Sequence, residues 1–110
     1  MRTIIALAMI LTATVANAQQ QMVLRGFGAS SCSEFAQAYR EDPTTVEGLY
    51  FTWAQGYMSG ANVAGRVLRD LAGRSLENQE AHIRSYCDNH PLSSYAEAVL
   101  SLYGTLPTIK

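Results

Sequence analysis

The sequence predicts a small all-α domain of four helices, stapled by one disulfide bond and preceded by a cleaved signal peptide. Three observations lead to this prediction. Apolar residues recur at the i, i+3, i+4, i+7 spacing of amphipathic helices in several segments. Three of the predicted helices begin with a capping-box sequence, S/T-x-x-E. No run of alternating apolar and polar residues is long enough for a strand.

The composition excludes two broad classes of protein. The chain has 110 residues and a formal net charge of −1, and its only lysine is Lys110. A nucleic-acid binder would carry clustered basic residues, so we expect no nucleic-acid partner. With 48% hydrophobic residues and little net charge, the chain is also unlike a disordered protein.

The first 18 residues have the three parts of a secretory signal peptide. Arg2 supplies the positive charge, residues 4–15 form the apolar core, and Ala16-Asn17-Ala18 matches an A-x-A cleavage site. The apolar stretch is shorter than the roughly 20 residues of a membrane span. No cysteine follows it directly, so we expect a soluble periplasmic or secreted protein cleaved after Ala18. A buried N-terminal helix is the alternative.

The mature chain divides into a flexible N-terminal arm, residues 19–30, and a helical domain, residues 31–107. In the domain, Ser31-Cys32-Ser33-Glu34 predicts a first helix from Cys32 to about Arg40. Residues 41–43, which include a proline, end it.

A second capping box, residues 44–47, predicts a long helix from Thr45 to about Ala61, with an extension to Leu71 left open. A third helix is predicted over residues 76–87, ended by the segment 88–91. A third capping box at Ser94 starts a fourth helix that carries Tyr95 and Tyr103 and ends at Gly104, which takes the C′ position.

The long helix contains Gly48, Gly56 and Gly60, each costing about 1 kcal/mol relative to alanine. We interpret Gly56, Tyr57 and Gly60 as a packing motif at which another element approaches closely. Leucine at Gly56 or Gly60 is therefore expected to destabilise the protein.

The only two cysteines, Cys32 and Cys87, are expected to pair in an oxidising compartment. Closing the loop between them stabilises the fold by about 4 kcal/mol in the loop-entropy model. Two free thiols, or a bridge between two chains, are the alternatives.

Three aromatic residues, Tyr50, Trp53 and Tyr57, share one face of the long helix. They either fill the core or form a patch that binds a partner, because Trp and Tyr dominate interface hot spots.

No catalytic or cofactor-binding constellation stands out, so we expect no enzymatic activity, no metal and no cofactor. There is no G-x-S-x-G, C-x-x-C or C-x-x-C-H motif. The only histidines, His82 and His90, lie eight residues apart, and we interpret them as surface residues.

The segment 55–61 resembles the helix motif of the type VI secretion amidase-immunity (Tai) family. So do Ile83-Arg84-Ser85-Tyr86, the His90-Pro91 step and the apolar positions of the last helix. The resemblance covers roughly residues 32–106. It implies a small exported helical protein that binds and blocks a peptidoglycan-cleaving toxin.

A weaker resemblance is to periplasmic acid-stress chaperones of the HdeA type. It depends on the segment 31–35 and the position of Cys87, although those chaperones are rich in lysine. It implies binding of unfolded clients in acid.

We therefore expect a non-enzymatic exported module that binds another protein, with an immunity-like inhibitor favoured over an acid-activated chaperone. The expected partners are a peptidoglycan hydrolase or unfolded clients, and a homodimer is left open.

Overall fold

The computed structural model describes residues 24–110 and confirms the all-α prediction. The helices are α1, α2, α3 and α4, which span Cys32–Glu41, Pro43–Ala64, Leu76–Asn89 and Tyr95–Tyr103. A short 3-10 helix, Gly26–Ala29, precedes them. The predicted signal peptide, its cleavage site and residues 19–23 of the predicted arm lie outside the described residues.

One of the three predicted capping boxes forms in full, at Ser94, and the one at Ser31 forms only its first hydrogen bond. The Ser31 side chain accepts a hydrogen bond from the Glu34 backbone N–H at 3.1 Å and starts α1. At the start of α4, the Ser94 side chain accepts from the Glu97 N–H, and the Glu97 carboxylate accepts from the Ser94 N–H. These bonds satisfy donors that the first turn of a helix leaves unpaired.

The predicted start of the long helix at Thr45 is wrong. α2 begins at Pro43, and Asp42 is its cap, accepting from the Thr45 N–H at 3.3 Å. Proline suits the first position of a helix because that position needs no N–H donor and proline's φ is already helical. Asp42 is also the residue that ends α1, so α1 and α2 meet at a single residue.

The other helix ends differ from the prediction by a few residues. α3 continues to Asn89 because Pro91 restricts only the residue before it, His90, which takes a non-helical conformation. Gly104 follows α4 with φ −62° and ψ −19°, so it does not form the left-handed cap that the C′ assignment implied.

The chain ends in a minimal antiparallel pairing that the sequence did not reveal. Strand β1, Leu68–Arg69, pairs with β2, Thr108–Ile109. The Asn62 side chain donates to the Arg69 carbonyl at 2.8 Å and accepts from the Arg69 N–H at 3.0 Å. The folded domain therefore reaches past the predicted boundary at residue 107.

The described part of the predicted arm, residues 24–30, contains the short 3-10 helix and packs on α2. The Trp53 indole N–H donates to the Arg25 carbonyl at 3.1 Å, and Gly28 is buried. The Phe27 ring lies 4.6 Å from the Tyr50 ring, measured between centroids.

The core combines the disulfide with a group of aromatic rings. Phe35, Tyr50 and Tyr95 come from three helices, and each pair of their ring centroids is 4.9 Å apart. Such tilted and edge-on contacts are the favourable arrangements for aromatic pairs. The remaining buried apolar residues include Phe51, Ala54, Met58, Ile83, Ala98, Val99, Leu102 and Leu106.

The predicted disulfide between Cys32 and Cys87 is present, and both residues are buried. It joins the first residue of α1 to the last turn of α3, with 4.7 Å between the two Cα atoms. The Cys32 N–H also donates to the Ser93 carbonyl at 2.7 Å, which ties the same point to the start of α4. No helix in residues 24–110 has the length and apolar character that a membrane crossing requires.

Replacing both cysteines by alanine should lower the free energy of unfolding by about 4 kcal/mol, because the unfolded chain regains the freedom of a long loop. Urea unfolding measures this. Reduction of the wild-type protein should cause a similar loss and leave the double variant unchanged. Two titratable thiols in denatured, unreduced wild-type protein would refute the pairing.

Candidate functional site

The structure divides the predicted aromatic patch between the core and the surface. Tyr50 is only 7% exposed and is enclosed by other rings, and its hydroxyl donates to the Ser30 side chain at 3.2 Å. Of the two alternatives for Tyr50, the structure therefore shows the one in which it fills the core. Trp53 and Tyr57 are half-buried and stack on each other, with centroids 5.1 Å apart and an interplanar angle of 20°.

Two glycines in the N-terminal segment allow it to lie directly on Trp53. A Cβ at Gly28 would lie 2.0 Å from the indole ring, and one at Gly26 would lie 3.3 Å from it. Gly26 also has φ 79°, a conformation that favours glycine. The close approach that we predicted for the glycines of α2 is thus made by the glycines of the arm.

The predicted packing motif at Gly56 and Gly60 is wrong for the described domain. A Cβ at Gly48, Gly56 or Gly60 meets no atom within 4 Å among residues 24–110. The helical period explains this: Ala54 and Met58 face the core, which turns Gly56 and Gly60 outward.

The outward face of α2 carries no charged side chain. Its exposed residues are Pro43, Thr44, Thr45, Gly48, Leu49, Thr52, Gln55, Gly56, Ser59, Gly60, Val63 and Ala64. We call this surface the neutral face. Leu49 is 51% exposed and Val63 is 89% exposed. A helix that faces only water normally has charged residues there, whereas the centres of protein interfaces are depleted in charge.

The single charged residue of α2, Glu47, points inward and is paired. Its carboxylate accepts a hydrogen bond from the Arg84 guanidinium of α3 at 2.6 Å, and the Glu47 side chain is 15% exposed. The Arg84 guanidinium also lies over the Tyr39 ring, 5.1 Å from its centroid. The Glu47–Arg84 pair therefore joins α2 to α3, and the Arg84 guanidinium also contacts α1 through the Tyr39 ring.

Burial raises the pKa of Glu47 to about 7, and the neighbouring Glu80 carboxylate adds to this rise. The positive charge of Arg84 lowers the pKa of Glu47, but by less than burial raises it. Glu47 is therefore partly protonated near neutral pH in the folded protein.

The two histidines share one groove, which the sequence did not indicate. His82 is half-buried and its Nε2 lies 3.0 Å from the Ser101 hydroxyl. His90 stacks on Tyr86, and both residues line the groove that contains His82. Within residues 24–110 no three His, Cys, Asp or Glu side chains are grouped closely enough to hold a metal ion.

The chain matches no protein-family model, no curated protein and no solved structure at a significant level. The two family resemblances therefore stay predictions.

Replacing Gly60 by alanine should raise the free energy of unfolding by about 1 kcal/mol, because alanine favours the helix and its methyl group meets open space. Gly28→Ala, the matched variant, should be destabilising because its methyl group would overlap the Trp53 ring. Thermal unfolding compares the two. A lower melting temperature for Gly60→Ala would show that the outer face of α2 is covered.

Replacing Glu47 by glutamine should flatten the dependence of stability on pH. Since the folded protein raises the pKa from 4.5 to about 7, this group contributes stability below about pH 4.5 that is lost as the pH rises through 7. When the pH falls from about 8 to about 5, the free energy of unfolding of the wild-type protein should rise by on the order of 1–2 kcal/mol more than that of Glu47→Gln. Urea unfolding at several pH values measures the difference, with Glu77→Gln as the control. Identical profiles for wild type and Glu47→Gln would contradict the assignment.

Proposed function

We propose that the protein is an exported module that binds another protein through the neutral face of α2, and that it acts as an immunity-like inhibitor of a cell-wall hydrolase. The observation that carries this proposal is the length of the uncharged surface. A 22-residue helix exposes one whole side to solvent without a single charged group. Interface centres are depleted in charge in the same way, since a buried charge must lose its water.

The side-chain sizes on this face suit a flat contact. Gly48, Gly56 and Gly60 expose backbone, while Leu49 and Val63 offer apolar anchors near its two ends. Small residues let a partner's side chains approach the helix closely. Aromatic hot-spot residues would then be supplied mainly by the partner, apart from the half-buried Tyr57.

The inner side of α2 keeps this face preorganised. Tyr50, Ala54 and Met58 are buried in the core, and Trp53 is held under Gly28. A preorganised surface loses little conformational entropy on binding, which favours tight association. An inhibitor that must bind one enzyme stoichiometrically needs this property more than a chaperone does.

The test begins with affinity purification of the mature protein from a cell-envelope extract of the organism that produces it. The proposal expects one stoichiometric partner that cleaves peptidoglycan. An equimolar amount of the wild-type protein should abolish cleavage by that enzyme.

Two variants that add the same charge then locate the surface. Ser59→Lys puts a lysine in the neutral face and should weaken inhibition by about 100-fold, because the ammonium group would be buried without a partner. Gln37→Lys, on the exposed side of α1, should inhibit like wild type. Both variants should keep the wild-type melting temperature, since both positions are exposed.

Equal inhibition by both variants would overturn the assigned surface. Many substoichiometric clients that bind only in acid would overturn the inhibitor proposal and favour an acid-activated chaperone. Recovery of an enzyme partner whose activity is unaffected would also overturn it.

A further inference from the structure

A second surface, separate from the neutral face, has the chemistry of an anion-binding site. It is a groove of about 450 Å³ that runs along α3, with Ser101 of α4 on its opposite side. None of its lining residues belongs to α2, and none is a carboxylate. Its main polar and aromatic groups are Arg74, Asn78, His82, Tyr86, His90 and Ser101.

Arg74 is held in place by a buried hydrogen-bond network. Gln79 is 1% exposed, and its side-chain amide donates to the Leu71 carbonyl at 2.8 Å and to the Arg74 carbonyl at 2.9 Å. The Arg74 guanidinium donates to the Thr105 hydroxyl at 2.9 Å. Among residues 24–110 it forms no ion pair with a carboxylate. A half-buried, positioned guanidinium without a counter-charge is a favourable partner for an oxyanion.

His82 responds to the same positive charge. Burial, and then the charge of Arg74, lower the pKa of His82 and so favour the neutral imidazole. The Ser101 hydroxyl faces it from α4. The other charged residues of α3 and α4 do not line the groove; they are Glu77, Glu80, Arg84, Asp88 and Glu97. A bound anion would offset the repulsion from Arg74 and favour the protonated imidazole.

We propose that the groove binds a sulfate or phosphate group between Arg74 and His82, and that binding takes up a proton. The Arg74 guanidinium has N–H groups beyond the one bonded to Thr105, and the Asn78 amide adds two further donors. With the second imidazole nitrogen, these are more donors than a two-oxygen carboxylate accepts. They match the several oxygens of a tetrahedral anion. Farther along the groove, the His90 ring stacks on Tyr86 with centroids 4.1 Å apart, forming a flat wall for the rest of a larger ligand.

Titration with inorganic sulfate, followed by backbone amide NMR shifts, tests the site. Sulfate keeps its charge over the range used, so a change in affinity with pH reports on the protein. With choline chloride holding the ionic strength constant, binding should be saturable and about fivefold or more tighter near pH 5.5 than near pH 7.5. The pKa of the His82 imidazole should rise in saturating sulfate.

Substitutions distinguish binding at this site from a general attraction of sulfate to basic side chains. Arg74→Gln should weaken sulfate binding by about tenfold or more, since a charge-assisted hydrogen bond is lost. Arg66→Gln, which removes an exposed arginine outside the groove, should bind like wild type. His82→Gln should lose most of the pH dependence.

A comparison of inorganic phosphate with phenyl phosphate distinguishes a free anion from an ester. Tighter binding of phenyl phosphate assigns a phosphate ester whose ring lies on the Tyr86–His90 wall, and equal binding assigns the free anion. The proposal is overturned by linear, non-saturating shifts, by an unchanged pKa of His82 in sulfate, or by equal losses in Arg74→Gln and Arg66→Gln.

Discussion

The covalent link between Cys32 and Cys87 is the constraint on which the rest of the domain depends. It joins the start of α1 to the last turn of α3, and the adjacent backbone hydrogen bonds between residues 30–33 and 91–95 bring in the start of α4. Three helices therefore meet at one buried point. A domain of this size buries only a modest fraction of its surface, so hydrophobic burial alone stabilises it weakly. The cross-link therefore contributes a large part of its stability.

The long helix α2 packs into this frame with two very different sides. Its inner side supplies Tyr50, Ala54 and Met58 to the core, and Glu47 pairs with Arg84. Its outer side is uncharged. The same helix thus stabilises the fold and presents the proposed binding surface, and substitutions on its two sides should have separable effects on stability and on binding.

The sequence predicted the features that depend on local chemistry. Ser31 and Ser94 mark helix starts because their side chains satisfy nearby backbone donors, and a single pair of cysteines allows only one bridge within the chain. Features that depend on distant contacts were missed. Gly26 and Gly28 fit against Trp53, and Arg74 and His82 line one groove, but no short-range pattern encodes either arrangement.

The error at Gly56 and Gly60 has a clear physical origin. Glycine in a helix has a cost, and close packing is the usual compensation. Helical spacing alone places Tyr50 and Trp53 in one apolar stripe but does not tell which edge of that stripe meets the core. In the structure the core side is centred on Ala54 and Met58, so the glycines face solvent.

The disulfide-framed core leaves the outer face of α2 open to solvent. NMR relaxation caused by a soluble gadolinium chelate measures this directly in dilute, oxidised protein. We expect strong relaxation of the Cα protons of Gly56 and Gly60, and weak relaxation of the side-chain methyl groups of Ala54 and Met58. Equally weak relaxation on both sides would show instead that the outer face of α2 is covered.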